Sequence, residues 1–422
     1  MTQPALGVIA DDFTGATDVA GMLVQAGMSA LLAIGVPPAD AVLDADAIVV
    51  ALKSRTVPAA DAVRESLAAL ERLRAAGCRR FYFKVCSTFD STPRGNIGPV
   101  AEALMAALGA DFAIACPAFP ENGRSVYRGH LFVGDLLLSD SGMRNHPLTP
   151  MTDANLVRWL QAQTTLRVGL LRHDAVAAGT DAVAARIAGL RADGVRIAVA
   201  DAIDNADLRT LGAACADLPL VVAGSGLALG LPVPYAARGW VRPDAQAAAL
   251  PAVGGHAAVL SGSCSTATNA QVQHWLQAGQ PAFRIDALRL AEGAPLAAQA
   301  LTWADSRLAQ GPVLVYATAA ADDVKAVQQQ LGAERAGSLI EACLAEIATG
   351  LLDRGVRRLV VAGGETSGAV VQALQVQRLR VGATIDPGVP WTQADGRPLL
   401  LALKSGNFGS VDFFAKALAM VR

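Results

Sequence analysis

Short apolar runs recur along this chain, each separated from the next by enough residues for one Ala/Leu-rich helix, and that rhythm constrains the fold more than anything else. The runs fall at 6–10, 47–51, 81–85, 112–115, 167–171, 196–200 and 220–223, with helical stretches such as 59–76 and 100–108 between them. Continuous apolar strands with helices between them predict mostly parallel sheets covered on both faces. Between Pro232 and Gly255 the rhythm stops, and Pro, Ala and Gly dominate. Strand-like runs resume at 257–260, 313–316, 359–362 and 399–403. The fold class expected is α/β, with two domains, each a mostly parallel sheet flanked by helices, and an active-site cleft between them. Residues 1–231 form the first domain, 232–255 a linker and 256–422 the second.

A length of 422 residues is ample for two such cores. Hydrophobic residues reach 53%, charged ones only 17%, and the formal net charge is −2, so no basic face is available for a nucleic acid. The six cysteines are scattered without a C-x-x-C pair, which predicts reduced thiols and neither disulfides nor a zinc site. A basic n-region with a long apolar core is missing from the first residues, and no charge-free run is long enough to span a bilayer. A cytoplasmic protein with no membrane partner is expected.

Chemistry is expected first at Val8-Ile-Ala-Asp-Asp-Phe-Thr-Gly-Ala-Thr-Asp18. An apolar strand there delivers two adjacent carboxylates, Asp11 and Asp12, to the carboxyl edge of a sheet, where open α/β folds bind ligands. Capping the next helix needs only one of them. A second cluster, Lys84-Val-Cys-Ser-Thr-Phe-Asp-Ser-Thr-Pro-Arg-Gly-Asn-Ile-Gly98, also follows a strand and enters a helix. Its Lys84 and Arg94, its hydroxyls and Asp90 suit a small polyhydroxylated anion. Lys53-Ser-Arg-Thr56 adds cations at another strand end.

The second half repeats one construction three times: strand, small or hydroxyl residues, helix. The sites are Ser261-Gly-Ser-Cys-Ser265, Gly363-Gly-Glu-Thr-Ser-Gly368 and Ser405-Gly-Asn-Phe-Gly409. Such turns let backbone N–H groups approach phosphates closely, and Ser261, Gly262, Ser263, Gly363, Gly364, Glu365, Thr366 and Gly406 are the candidate nucleotide contacts. No G-x-x-x-x-G-K-[ST] occurs, and Gly224-Ser-Gly-Leu-Ala-Leu-Gly230 has the wrong spacing for a dinucleotide fingerprint and reads as a turn. One carboxylate of the Asp11–Asp12 pair could then take the proton of a sugar-acid hydroxyl as its oxygen attacks a γ-phosphate, while the other orients it or sits beside a metal. Residues 117–152, rich in Pro, Gly, Asn and Arg, read as a long irregular segment, either functional or a contact in a homo-oligomer. His130 and His146 lie within it as weak candidates for touching substrate.

These motifs resemble the four-carbon acid sugar kinase family over essentially the whole length, from Ile9-Ala-Asp-Asp-Phe-Thr-Gly15 to Lys404-Ser-Gly-Asn-Phe-Gly409. The resemblance implies an N-terminal domain for the sugar acid and a C-terminal domain for ATP. It implies substrate contacts at Asp12, Arg55, Lys84, Val85, Cys86 and Ser87, and ATP contacts at Ser261, Gly363 to Thr366 and Gly406. Cys86-Ser-Thr-Phe-Asp-Ser-Thr92, Pro117-Ala-Phe-Pro-Glu-Asn-Gly-Arg124 and Arg144-Asn-His-Pro-Leu-Thr-Pro-Met-Thr-Asp153 are similar to the 3-oxo-tetronate 4-kinase branch. That implies phosphorylation at O4 of a 3-oxo acid, the alternatives being the sibling threonate or erythronate kinases or an inactive sugar-acid and ATP sensor. Mg²⁺ is expected to come with ATP on phosphate oxygens and water, without a protein ligand cage.

Overall fold

Strand β1 (Leu6–Ala10) is apolar and buried along its whole length, as a strand covered by helices on both faces must be. The computed structural model describes residues 3–146 and 148–421, so Pro147 of the motif at 144–153 lies outside the described residues. Two units divide the chain, Met1–Ala248 and Ala249–Arg422.

In the first unit β1 is followed by β2 (Ala30–Ile34), β3 (Ala47–Ala51), β4 (Arg80–Lys84) and β5 (Ala113–Cys116). A small antiparallel set comes next, β6 (Arg124–Tyr127), β7 (His130–Val133) and β8 (Leu136–Leu137), then β9 (Val168–Leu171), β10 (Ile197–Ala200) and β11 (Leu220–Ala223). The main sheet of this unit runs β2-β3-β1-β4-β11-β5-β10-β9, with every pairing parallel. The chain leaves β1 to build β2 and β3 on one side, then returns to place β4 on the other. Residues just past β1 therefore sit at the topological switch point, where ligands of such sheets bind.

The second unit holds β12 (His256–Ser261), β13 (Ala282–Arg284), β14 (Val313–Tyr316), β15 (Val356–Ala362), β16 (Arg378–Asp386), β17 (Val389–Ala394) and β18 (Leu400–Lys404). Its strand order is β13-β14-β12-β15-β18-β17-β16, parallel from β13 to β18, with β17 antiparallel to both its neighbours. Val259, Leu314, Val360, Trp391, Phe413 and Phe414 fill its core. The Trp391 indole N–H, the one polar atom of that fully buried side chain, donates to the Ala417 carbonyl at 3.0 Å.

Three expectations change in detail. Much of 117–152 is built, not irregular: a 3₁₀ turn at Pro120–Asn122 leads into β6, β6 and β7 pair antiparallel, β8 joins them, and two further 3₁₀ turns follow. Arg128 and Gly129, both at positive φ (50° and 74°), make the tight turn between β6 and β7. The buried Asp201 carboxylate accepts from both turn N–H groups, at 2.9 and 2.8 Å. The stretch after residue 231 starts with a helix, Pro232–Ala237, whose Tyr235 is buried. Residues 225–230 of the glycine-rich run are a buried 3₁₀ helix directly after β11, beyond a simple turn.

Candidate active site

Strand register decides which first-unit side chains meet. Ala10 at the end of β1 pairs with Ala51 of β3 on one side and Lys84 of β4 on the other. The segments that leave these three strands carry Asp11 and Asp12, Arg55, and Cys86 onward. Arg55 binds Asp11 with two parallel contacts, Nε to Oδ2 at 3.0 Å and a terminal nitrogen to Oδ1 at 2.8 Å. The same terminal nitrogen reaches Asp12 Oδ1 at 2.7 Å, and the other lies 3.9 Å from Asp90 Oδ2.

Asp11 and Asp12 are thereby set apart. Asp11 has a side chain only 5% exposed and turned onto Arg55, whereas the Asp12 side chain is 30% exposed. Burial pushes the Asp11 carboxyl up, and the adjoining guanidinium opposes that shift. Burial also works against the Arg55 cation, but Asp11 and Asp12 more than offset it, so Arg55 stays charged. Asp12 does cap the helix Phe13–Gln25, accepting the Gly15 N–H at 2.9 Å through Oδ1. Oδ1 therefore serves both the cap and Arg55, which leaves the second oxygen of a half-exposed carboxylate for other partners.

Lys84 is buried and donates to the Val85 carbonyl at 2.7 Å. Gly15 admits its ammonium: a Cβ there would stand 2.8 Å from Lys84 Nζ and 2.4 Å from Asp12 Oδ1. Cys86 contacts the Thr88 hydroxyl at 2.9 Å, and Thr88 donates to Asp90 at 2.6 Å. Burial, with Asp90 nearby, pushes the Cys86 thiol up to about 12, so it is a neutral group at physiological pH. Ser87 is partly buried, and Arg94 is exposed on the loop without joining the Asp11–Arg55–Lys84 group. His130 contacts the Arg128 carbonyl and the Asn155 side chain, and His146 contacts Thr149.

Two groups emerge here that the sequence reading passed over. Asn96 donates its amide to three carbonyls, Ser54 at 2.7 Å, Arg55 at 3.3 Å and Val57 at 2.8 Å, and so fixes the loop that carries Arg55. Asp18 is buried near Lys84 and Ser225, and its carboxyl is pushed up by burial. A single Asn in a hydroxyl-rich loop gives no sequence signal for that role. Asp18 closes the opening motif, six residues beyond Asp12 on the same helix, and that spacing was the available hint.

In the second unit Ser261, Ala362 and Lys404 stand in one register across β12, β15 and β18. The three turns that follow therefore leave the sheet side by side, and they pack closely. Gly262 and Ser263 both donate their N–H to Ala362 O, at 3.0 and 3.2 Å, and Gly363 donates to Lys404 O at 2.9 Å. A Cβ on Gly262 would stand 2.3 Å from the Thr366 hydroxyl, and one on Gly406 would stand 2.6 Å from Ser263 Oγ. A larger residue at either place would force the facing hydroxyl to move.

Ser265 caps the helix Thr266–Gln277, accepting the Thr268 N–H. Asn269 pins the first turn through Cys264 O, Ser265 O and Ala319 O, and Gln271 pins the third through Phe408 O, Gly409 O and Ser410 O. The Ser261 hydroxyl faces Thr318 at 2.7 Å, and the residue is fully buried. Gly364 and Glu365 are exposed, while Thr366 is buried against the first turn. Such an array of turns and capped helices, open at its rim, can receive a phosphorylated ligand.

Among the described residues, no three His, Cys, Asp or Glu side chains converge on a point that could hold a metal ion. No described helix is long and apolar enough to cross a membrane.

Comparison with known proteins places labels on both units. A family model described as a sugar-binding N-terminal domain matches residues 6–231, and one described as a nucleotide-binding C-terminal domain matches residues 258–414. A Pseudomonas fluorescens protein named 3-oxo-tetronate kinase is 64% identical, covering 99% of this chain and 97% of its own. A Cupriavidus necator protein of the same name is 63% identical, with the same coverage of both chains. The crystal structure of a Haemophilus influenzae protein of the DUF1537 family superposes with a TM-score of 0.85 at 44% identity, over 99% of this chain and all (100%) of that one.

Proposed function

The chain belongs to the four-carbon acid sugar kinase family, and from that premise we propose that it transfers the γ-phosphate of ATP to the 4-hydroxyl of a 3-oxo-tetronate, giving the 4-phosphate and ADP. The substrate assignment is supported by relatives at 63% and 64% identity that carry that activity in their names over nearly their whole length. The observation that carries the chemistry is the division of labour at the end of β1. Asp11 is committed to Arg55, and Asp12 keeps one carboxylate oxygen for a substrate hydroxyl.

In this reading Asp12 takes the proton of the 4-hydroxyl as its oxygen attacks the γ-phosphorus and ADP departs. Asp11 holds Arg55, and Arg55 in turn holds Asp12 in place. Residues 84–87, with Asp90 and Arg94 on the same loop, bind the sugar acid. The turns at 261–263, 363–366 and 406 bind ATP, with the N-terminus of the helix Gly364–Ala373 turned to its phosphates and the Thr366 hydroxyl beside them. Because transfer is largely a matter of positioning and charge, rigid turns and a pinned Arg55 loop are the devices it needs. Mg²⁺ would come with ATP and would neutralise the charge that develops on its phosphates. The partners are small molecules and the compartment is the cytoplasm.

ADP release with Mg-ATP across 3-oxo-tetronates, threonates and erythronates tests the assignment. Turnover confined to the 3-oxo acids supports it. Preference for threonate or erythronate keeps the chemistry and overturns the substrate. Binding of both ligands with no ADP released leaves a sensor.

A further inference from the structure

Lys404 is the last residue of β18, 1% exposed, and no part of the phosphoryl transfer described above uses it. Its ammonium sits among three oxygens, Thr268 Oγ1 at 2.9 Å, Ser405 O at 3.0 Å and Gly406 O at 2.8 Å. Those three acceptors match its three N–H donors. The Gly406 carbonyl is held from two more directions, by Ser265 Oγ at 2.6 Å and Thr268 Oγ1 at 2.8 Å. A carbonyl gripped by three donors on the protein side has one fixed direction.

The consequence lies on the other side of the same peptide. The Gly406–Asn407 peptide is trans, so the Asn407 N–H points opposite to the Gly406 C=O. Asn407 is exposed, and among the described residues its N–H has no acceptor. Gly406 is where the turn touches the first one most tightly, through Ser263 and Ser265. A donor aimed outward is thus fixed in place at the rim where the three turns meet. Behind it stands the buried Lys404 side chain, whose charged form burial disfavours.

We propose that Lys404 is a positioning residue of the nucleotide half-site: with Ser265 and Thr268 it locks the Gly406–Asn407 peptide so that the Asn407 N–H donates to a phosphate oxygen of the nucleotide. This rests on reading the second unit as the ATP-binding half, and deepens it by naming what orients the third turn. The contact is made to phosphate and not to the base, so its loss is felt in proportion to the phosphates present.

The test uses the full-length enzyme, with ATP, ADP and adenosine titrated by calorimetry into wild type, Lys404→Met and Thr268→Val. Methionine keeps the length of the side chain, and valine keeps the shape of threonine without its hydroxyl. Both variants should weaken ATP by about tenfold to a hundredfold, the worth of a charge-assisted hydrogen bond, while adenosine changes less than about twofold. KM for ATP should rise in step with KM for the sugar acid unchanged. Should a variant not fold, the wild-type Asn407 amide resonance decides: it shifts with ATP and stays with adenosine. Equal losses for adenosine and ATP, or an Asn407 amide indifferent to ATP, overturn the proposal. Wild type that binds no ATP at all overturns instead the assignment of the half-site, and the two failures are told apart.

Discussion

Arg55 lies in parallel contact with Asp11, nitrogen to oxygen at 3.0 and 2.8 Å, while one of the same nitrogens reaches Asp12 at 2.7 Å. One guanidinium thereby couples a buried carboxylate to a half-exposed one.

The two aspartates should respond differently to the same change. Asp12→Asn should lower kcat by roughly 10²- to 10⁴-fold, the usual worth of a general base, with ATP affinity retained. Asp11→Asn should chiefly cost stability, on the order of 3 kcal/mol, because it strands a partly buried guanidinium. Steady-state kinetics beside denaturant unfolding separates the two. Equal effects on turnover and on stability in both variants would contradict the division.

Asn96→Ala removes the amide that binds Ser54, Arg55 and Val57. Leaving buried carbonyls without a donor costs about 1–3 kcal/mol each at most, so the melting temperature should fall by several degrees. Because the freed loop carries Arg55, KM for the sugar acid should rise while KM for ATP holds. A rise in both would show that the loop is not specific to the first unit's site.

Gly406→Ala places a Cβ 2.6 Å from Ser263 Oγ. Ser263 Oγ must then move and give up its bond from the Ser265 N–H, which loosens the first turn, and ATP binding measured by calorimetry should weaken at least tenfold with sugar-acid binding intact. The reverse pattern would exchange the roles of the two units.

Burial lowers the Lys404 ammonium from the ordinary 10.5 to about 7. Between those two values the unfolded chain holds a proton that the folded chain has released. Stability of the nucleotide-free protein should therefore gain from this group as pH rises through that window, since unfolding takes up a proton there. Lys404→Met should remove that part of the slope. Melting curves across the window check it, and a slope unchanged in the variant would show that Lys404 titrates as an ordinary lysine.

Much of the fold was legible because buried parallel strands announce themselves as apolar runs. Leu6–Ala10, Ala47–Ala51, Leu220–Ala223 and Val313–Tyr316 have the expected bounds. Strand β4 lies one residue earlier than expected at both ends, Arg80–Lys84, and its closing lysine is buried. Arg378–Asp386 and Val389–Ala394 escaped notice, since Arg378, Arg380 and Gly382 break the apolar pattern and the hairpin adds an antiparallel pair to a parallel sheet.

The candidate site divides the same way. Asp11, Asp12, Lys84 and the three glycine-rich turns stand at strand ends, where sequence order alone brings chemistry to one edge. Asn96, Asp18, Thr268, Gln271 and Thr318 act through partners distant in sequence, such as Gln271 on Phe408 or Ser261 on Thr318. Only folding reveals those pairs. Lys404 opened a motif that sequence had marked, but its burial and its grip on Gly406 were visible only in three dimensions.

Phosphorus and carbon NMR of the product formed from Mg-ATP and a 3-oxo-tetronate tests the central claim most directly. The account predicts one phosphate monoester, coupled to the C4 methylene, formed in step with ADP. Phosphate on another oxygen, or ADP released with inorganic phosphate and unchanged sugar acid, would contradict it.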